Sequence, residues 1–193
     1  MQVTPFSDQE LIQHYLEGNE RAFEELLSRH KNKIYTSIYL FVKEQSLAED
    51  IFQEVFIKIV NTLRSGKYNH EGKFVQWAMR IAYNMCVDQF RRKKRRPQVA
   101  PTESFDIFDV LHVSEENMET TMIKSQTHDR IRHLVDSLPP EQREVVILRH
   151  YADMSFKEIS QLTRVSINTA LGRMRYALIN IRKMVEEKEI ILQ

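Results

Sequence analysis

Lys73 to Arg96 read KFVQWAMRIAYNMCVDQFRRKKRR. Phe74, Ala78, Ile81, Ala82 and Met85 recur at helical spacing, with Trp77 beside them, so this stretch predicts one long helix with a core-facing side. Lys73, Gln76, Arg80, Tyr83, Asn84 and Arg91 share its other side, which mixes cations, amides and a phenol. Six consecutive basic residues, Arg91 to Arg96, close the stretch, and Pro97 cannot continue the helix. Six cations with no acid among them repel one another unless a polyanion is present. Cations neutralise phosphates, while amides and aromatic rings read or stack on bases. A solvated amphipathic helix with a basic tail would share the pattern, but nucleic acid is the partner that accounts for the charge.

Outside this helix the composition is that of an all-α protein. The 193 residues are 42% apolar, with only 4 glycines and 5 prolines. That is enough apolar material for packed cores and room for one or two domains. No apolar run is long enough to span a bilayer, and MQVTPFSDQE has neither the basic nor the apolar region of a signal peptide. A cytoplasmic protein without membrane insertion is therefore expected. Cys86 is the only cysteine, so no internal disulfide forms, and a small core residue is its simplest role.

Net charge is +1, but unevenly spread. Arg91 to Arg96 carry +6, Gln98 to Asp129 carry −6, and Lys157 to Lys183 carry +5. Two basic blocks around an acidic one suggest two DNA-facing modules with a charged connector.

Along the chain, Ser7-Asp8-Gln9-Glu10 is a capping-box pattern opening a short helix through Leu11, Ile12, Tyr15 and Leu16. Gly18-Asn19 ends it, and a second helix runs to about Val42 with Phe23, Leu26, Leu27, Ile34, Ile38 and Phe41 on its apolar side. His30 has no second ligand at metal spacing and is expected at the surface. Ser46-Leu47-Ala48-Glu49 predicts another capping box and a third helix. Its outer face carries Asp50, Gln53, Glu54 and Lys58. Asp50 and Glu54 are like charges four residues apart, mildly unfavourable in isolation. They suit a solvated surface or a docking face for a basic partner equally well. Lys67 to Gly72 is a short loop whose Tyr68, Asn69 and His70 could contact bases.

Pro97, Pro101, Thr102, Ser104 and Ser114 break every helical pattern from Pro97 to about Glu116. This predicts a flexible linker (97–116) between domains 1–96 and 117–193. Part of it, Phe105 to Leu111, is apolar enough to pack on something. A helix resumes near Glu119, and Leu138-Pro139-Pro140 precedes the next one, with Pro140 in the first helical position. Ser155-Phe156-Lys157-Glu158 is a further capping box. Ser166 caps a last long helix with Ile167, Ala170, Leu171, Met174, Leu178 and Ile181 as its apolar stripe. A short helix, a tight turn and a cationic second helix form a helix-turn-helix pattern. Asn168, Thr169, Arg173, Arg175 and Tyr176 are expected on its exposed side. Asparagine offers a bidentate edge to adenine and arginine to guanine.

These parts, in this order, resemble an RNA polymerase sigma factor of the extracytoplasmic function (ECF) group. The resemblance covers about Glu20 to Lys183. It is carried by Asp50-Ile51-Phe52-Gln53-Glu54-Val55-Phe56, then Phe74, Trp77, Arg80-Ile81-Ala82, Asn84, Asp88 and Arg91-Arg92. In the second half it is carried by Leu138-Pro139, Arg143, Tyr151, Ser155, Glu158-Ile159, Ser166, Thr169 and Arg173. The resemblance implies a region 2-like bundle and a region 4-like helix-turn-helix domain. It places Asp50, Gln53 and Glu54 on the surface that binds core RNA polymerase. It places Tyr68, Asn69, Lys73, Arg80, Asn84, Arg91 and Arg92 against the minus-ten element of promoter DNA. Ser155, Asn168, Thr169, Arg173, Arg175 and Tyr176 fall to the minus-thirty-five element. An anti-sigma factor is implied as a further partner, and the linker as a segment threading toward the polymerase active centre.

The recognition helix departs from relatives at Leu171 and Gly172, where a lysine and a serine are frequent. A mid-helix glycine costs about 1 kcal/mol relative to alanine, which close approach to DNA would offset. The chain ends at Gln193, and no further sensing domain is expected. A helix-turn-helix regulator with an N-terminal dimerisation or ligand domain explains the second half equally well. It leaves the Arg91 to Arg96 block and the acidic face unexplained. Clustered carboxylates with histidines, a phosphate-cradling glycine loop and metal-ligand spacing are all missing, so no enzyme, metal or cofactor is expected.

Overall fold

The computed structural model describes residues 6–69, 72–95 and 133–187, which divide between two compact units. Among these residues every regular element is a helix. The expected linker, the helix start near Glu119, and His70, Glu71, Arg96 and Pro97 lie outside the described residues.

The first unit holds α1 (Asp8–Leu16), α2 (Glu20–Val42), α3 (Gln45–Arg64) and α4 (Phe74–Arg95). Ser7 and Glu10 close the predicted capping box: the Glu10 amide donates to Ser7 Oγ at 3.3 Å, and the Ser7 amide donates to Glu10 Oε2 at 2.7 Å. These bonds, from the Ser7 backbone first, hold the Glu10 carboxyl below its usual value. The next start differs from expectation. Lys43 adopts a left-handed φ of 56° and its amide caps Tyr39 O at 2.7 Å, so the chain has already turned. Glu44 becomes the N-cap of α3, and Ser46 lies inside the helix rather than before it.

α2, α3 and α4 pack on one another, and α1 lies across α2 and α3. Ile51, Val55, Ile59 and Leu63 are buried at a strict four-residue spacing on α3. They meet Leu26, Ile34 and Ile38 of α2 and Phe74, Ala78 and Ala82 of α4 in the core. Each fully buried Leu or Ile contributes about 2 kcal/mol. Cys86 is buried with them, and burial pushes its thiol up to about 12.

Two side chains expected outside turn inward, one fully and one in part. Tyr83 is buried, its ring edge-on to Phe41 at 5.6 Å, because α4 turns position 83 toward α2. His30 is half-buried: its Nε2 lies 2.8 Å from Asp8 Oδ2, and its ring lies 5.6 Å from that of Phe74. It ties α1, α2 and α4 together.

The second unit holds a helical turn at residues 133–136, then α5 (Pro140–His150), α6 (Phe156–Thr163) and α7 (Ile167–Glu187). Pro140 opens α5 as predicted, and Val145, Val146, Ile147 and Leu148 are all buried. Ser155 and Glu158 form the predicted capping box of α6. Arg164, left-handed at φ 58°, ends α6 and makes the tight turn. Ser166 Oγ accepts from the Thr169 amide at 3.0 Å and starts α7. The apolar stripe of α7 is rotated from its predicted position. Ala170 and Ala177 are its buried residues, while Ile167, Leu171 and Leu178 are exposed. Small side chains let α7 sit close against α5 and α6, which turns the larger ones outward.

Candidate polymerase and nucleic-acid interfaces

α3 points Asp50, Gln53 and Glu54 away from its buried row, and all three are exposed. Ile57 lies one turn beyond Gln53 and is 60% exposed. Sequence reasoning missed this apolar addition, although its position between Glu54 and Lys58 gave the signal. A groove between α3 and α4 is lined by Glu54, Ile57, Lys58, Asn61, Lys67 and Met85. The face therefore carries exposed carboxylates and one aliphatic knob beside a groove, an arrangement suited to a partner with basic groups.

α4 presents Arg80, Asn84, Arg91 and Arg92 outward, all exposed, as is Lys73 just before its first residue. They lie opposite Ala78, Ala82 and Cys86, so the core fixes which side the cations occupy. Arg91 Nη1 reaches Asp88 Oδ1 at 3.2 Å, and Lys93 Nζ reaches Glu44 Oε2 at 2.6 Å. Both pairs are largely exposed, and such pairs contribute little. At the head of α4, Tyr68 leans on Trp77 with ring centroids 4.4 Å apart, and Asn69 is exposed. Gly66 and Gly72, at φ 65° and 68°, bracket this loop. An aromatic ledge beside an exposed amide can stack and hydrogen-bond an unpaired base.

In the second unit, Asn168, Thr169, Arg175 and Tyr176 are exposed on α7. Arg173 is not among them. It is turned toward α5, where its Nη1 lies 3.3 Å from Glu144 Oε2, and its side chain is 24% exposed. Asn180 Nδ2 donates to Gln142 Oε1 at 2.8 Å on the same seam. Ser155 Oγ is engaged in its capping box, donating to Glu158 Oε2 at 2.7 Å. The exposed aliphatic residues Ile167 and Leu171 occupy the outer side instead. The alternation of Ala170 and Ala177 with larger residues was the signal for this.

Among the described residues, no group of three or more His, Cys, Asp or Glu could hold a metal ion. None of their helices is long and apolar enough to cross a membrane.

Residues 26–96 match the Sigma-70 region 2 family, and residues 128–175 match Sigma-70, region 4. The chain belongs to the ECF group of RNA polymerase sigma factors. Among relatives of this sigma factor, the RNA polymerase sigma-H factor of Pseudomonas aeruginosa is 27% identical, over 89% of this chain and 90% of its own length. The ECF sigma factor SigW of Bacillus subtilis is 27% identical, over 91% and 95%. Two solved structures share the fold. CnrH in complex with the cytosolic domain of CnrY has a TM-score of 0.59 at 21% identity, covering 93% of this chain and 97% of CnrH. RpoE of Bartonella quintana in complex with the anti-sigma factor NepR has a TM-score of 0.62 at 16% identity, covering 85% and 96%. The α3–α4 bundle of this sigma factor falls in its region 2, and α5 to the first part of α7 fall in region 4.

Proposed function

We propose that the α3 face of Asp50, Gln53 and Glu54 docks on core RNA polymerase, and that α4 with its preceding loop engages the minus-ten element. Tyr68, Asn69, Arg80 and Asn84 then act on unpaired bases, while Lys73, Arg91 and Arg92 act on phosphates. α7 reads the minus-thirty-five element as duplex. The division of labour assigns residues 1–96 to the first task, 117–193 to the second and 97–116 to the connection. The protein acts as a non-catalytic initiation subunit, since the chemistry of RNA synthesis belongs to the core enzyme. Its place of work is the cytoplasm, where polymerase and promoters are. An anti-sigma protein is the proposed regulator, the class of partner named for RpoE of Bartonella quintana.

One observation carries this reading: α3 and α4 belong to one bundle yet turn an acidic and a cationic side outward. A DNA-binding protein needs only the second. The acidic side would repel DNA and so fits a protein partner with basic groups. Asp50→Lys with Glu54→Lys tests it. Both positions are exposed, so helicity by circular dichroism should be unchanged while co-purification with core polymerase is abolished. Undiminished core binding would overturn the assignment.

A further inference from the structure

The outer side of α7 holds an apolar pair that the fold does not use. Ile167 and Leu171, one helical turn apart, are 45% and 43% exposed, whereas the helix buries Ala170 and Ala177. They flank Asn168, and the same outer side continues to Arg175 and then to Leu178, which is 56% exposed. Arg175 stands one turn beyond Leu171, and Lys157 of α6, Arg164 of the turn and, further along α7, Arg182 and Lys183 are also exposed. An aliphatic protein surface seated here would strip water from these cations without replacing it. A polyanion that also carries apolar groups satisfies both. Duplex DNA is one: its major groove lines up phosphates with the C5 methyl of thymine.

Three further features narrow the sequence. Arg173, whose guanidinium would suit guanine, is engaged with Glu144 at 3.3 Å and is only a quarter exposed, and the exposed Arg175 stands one turn beyond Leu171, away from the first turn of the helix. Asn168, in the first turn, is exposed and offers the amide edge that matches adenine. At Gly172, nothing in the protein lies within 4 Å of where a Cβ would stand, so there is room for a duplex beside Leu171. We propose that α7 reads an A·T-rich upstream element, with Ile167 and Leu171 packed on thymine methyls and Asn168 on adenine. This rests on α7 being the DNA-reading helix of the initiation factor.

The test uses full-length protein with core polymerase and a promoter library randomised in both elements. Selected upstream elements should be A·T-rich. Replacing their thymines with deoxyuridine, which lacks only the methyl, should lower initiation about fourfold per contacted methyl, the equivalent of about 0.8 kcal/mol. Leu171→Ala, an exposed position, should associate with core normally and lose most of that methyl sensitivity. Asn168→Ala should keep it while relaxing the adenine preference. Guanine-rich selected elements, or uracil templates used as well as thymine ones, would overturn the proposal. The latter result would point to a protein partner for the apolar pair. A chain that does not associate with core at all overturns the initiation reading, and this proposal with it.

Discussion

α4 and α7 are nearly equal in length, 22 and 21 residues, yet they are anchored differently. α4 buries Phe74, Ala78, Met79, Ala82, Tyr83 and Cys86, whereas α7 buries only Ala170 and Ala177. Outward, α4 shows Arg80, Asn84, Arg91 and Arg92, while α7 shows Ile167, Asn168, Leu171 and Arg175. A helix held by a large apolar back keeps most of its front for charged and polar groups, with Phe90, near its end, the large apolar side chain it exposes. Such a front suits an opened strand, whose phosphates and unstacked bases both need polar contacts. α7 keeps its larger apolar groups outside, where a duplex groove can take them. The difference teaches that the partner of a helix is written in what it refuses to bury as much as in its charge.

The largest effect expected on this comparison comes from Arg91→Gln with Arg92→Gln. Both residues are exposed, and neither side chain is part of the core. Initiation should weaken at all promoters alike, and the salt dependence should flatten by about one unit of slope per lost phosphate contact. Transcription from a promoter library at two salt concentrations measures both. A shift in sequence preference instead would mean that the basic block reads bases.

Asn84→Ala and Asn168→Ala sharpen the comparison next. The first should change which minus-ten sequences are opened, and the second only the upstream preference. Each affected base pair should move by about 1–3 kcal/mol of discrimination. The same library, sequenced by element, separates them. Identical shifts from the two variants would erase the distinction between α4 and α7.

The smallest effect concerns stability. Gly172→Ala adds a methyl where the protein has open space, so the free chain should gain about 1 kcal/mol from helix propensity. Thermal unfolding would report a higher Tm. Initiation at upstream-dependent promoters should fall if the groove comes as close as the glycine permits. A gain in Tm with unchanged initiation would show that the glycine serves no partner.

Much of the fold was legible because its punctuation sits in side chains. Ser7, Ser155 and Ser166 announce their helices by local hydrogen bonds, and Pro140 by its missing amide. The start of α3 was not, since it depends on Lys43 taking a left-handed turn that no glycine or asparagine advertises. The site divided in the same way. Exposure of Asp50, Glu54, Arg80 and Asn84 follows from periodicity on a single helix. Tyr83, His30 and Arg173 were misplaced because their partners, Phe41, Asp8 and Glu144, stand on other helices. Periodicity reports the direction in which a side chain leaves its own helix, but not what waits for it there.

Cys86 has a practical consequence. It is the sole cysteine in the chain, it is buried, and its thiol is held protonated up to about 12. A thiol in that state is a poor nucleophile at neutral pH. The folded protein is thus a nearly silent background for maleimide chemistry. A cysteine introduced at the exposed Ser65 or Gln161 would take up a fluorophore alone, and the arrival of each DNA element could be watched one domain at a time without first removing the native residue.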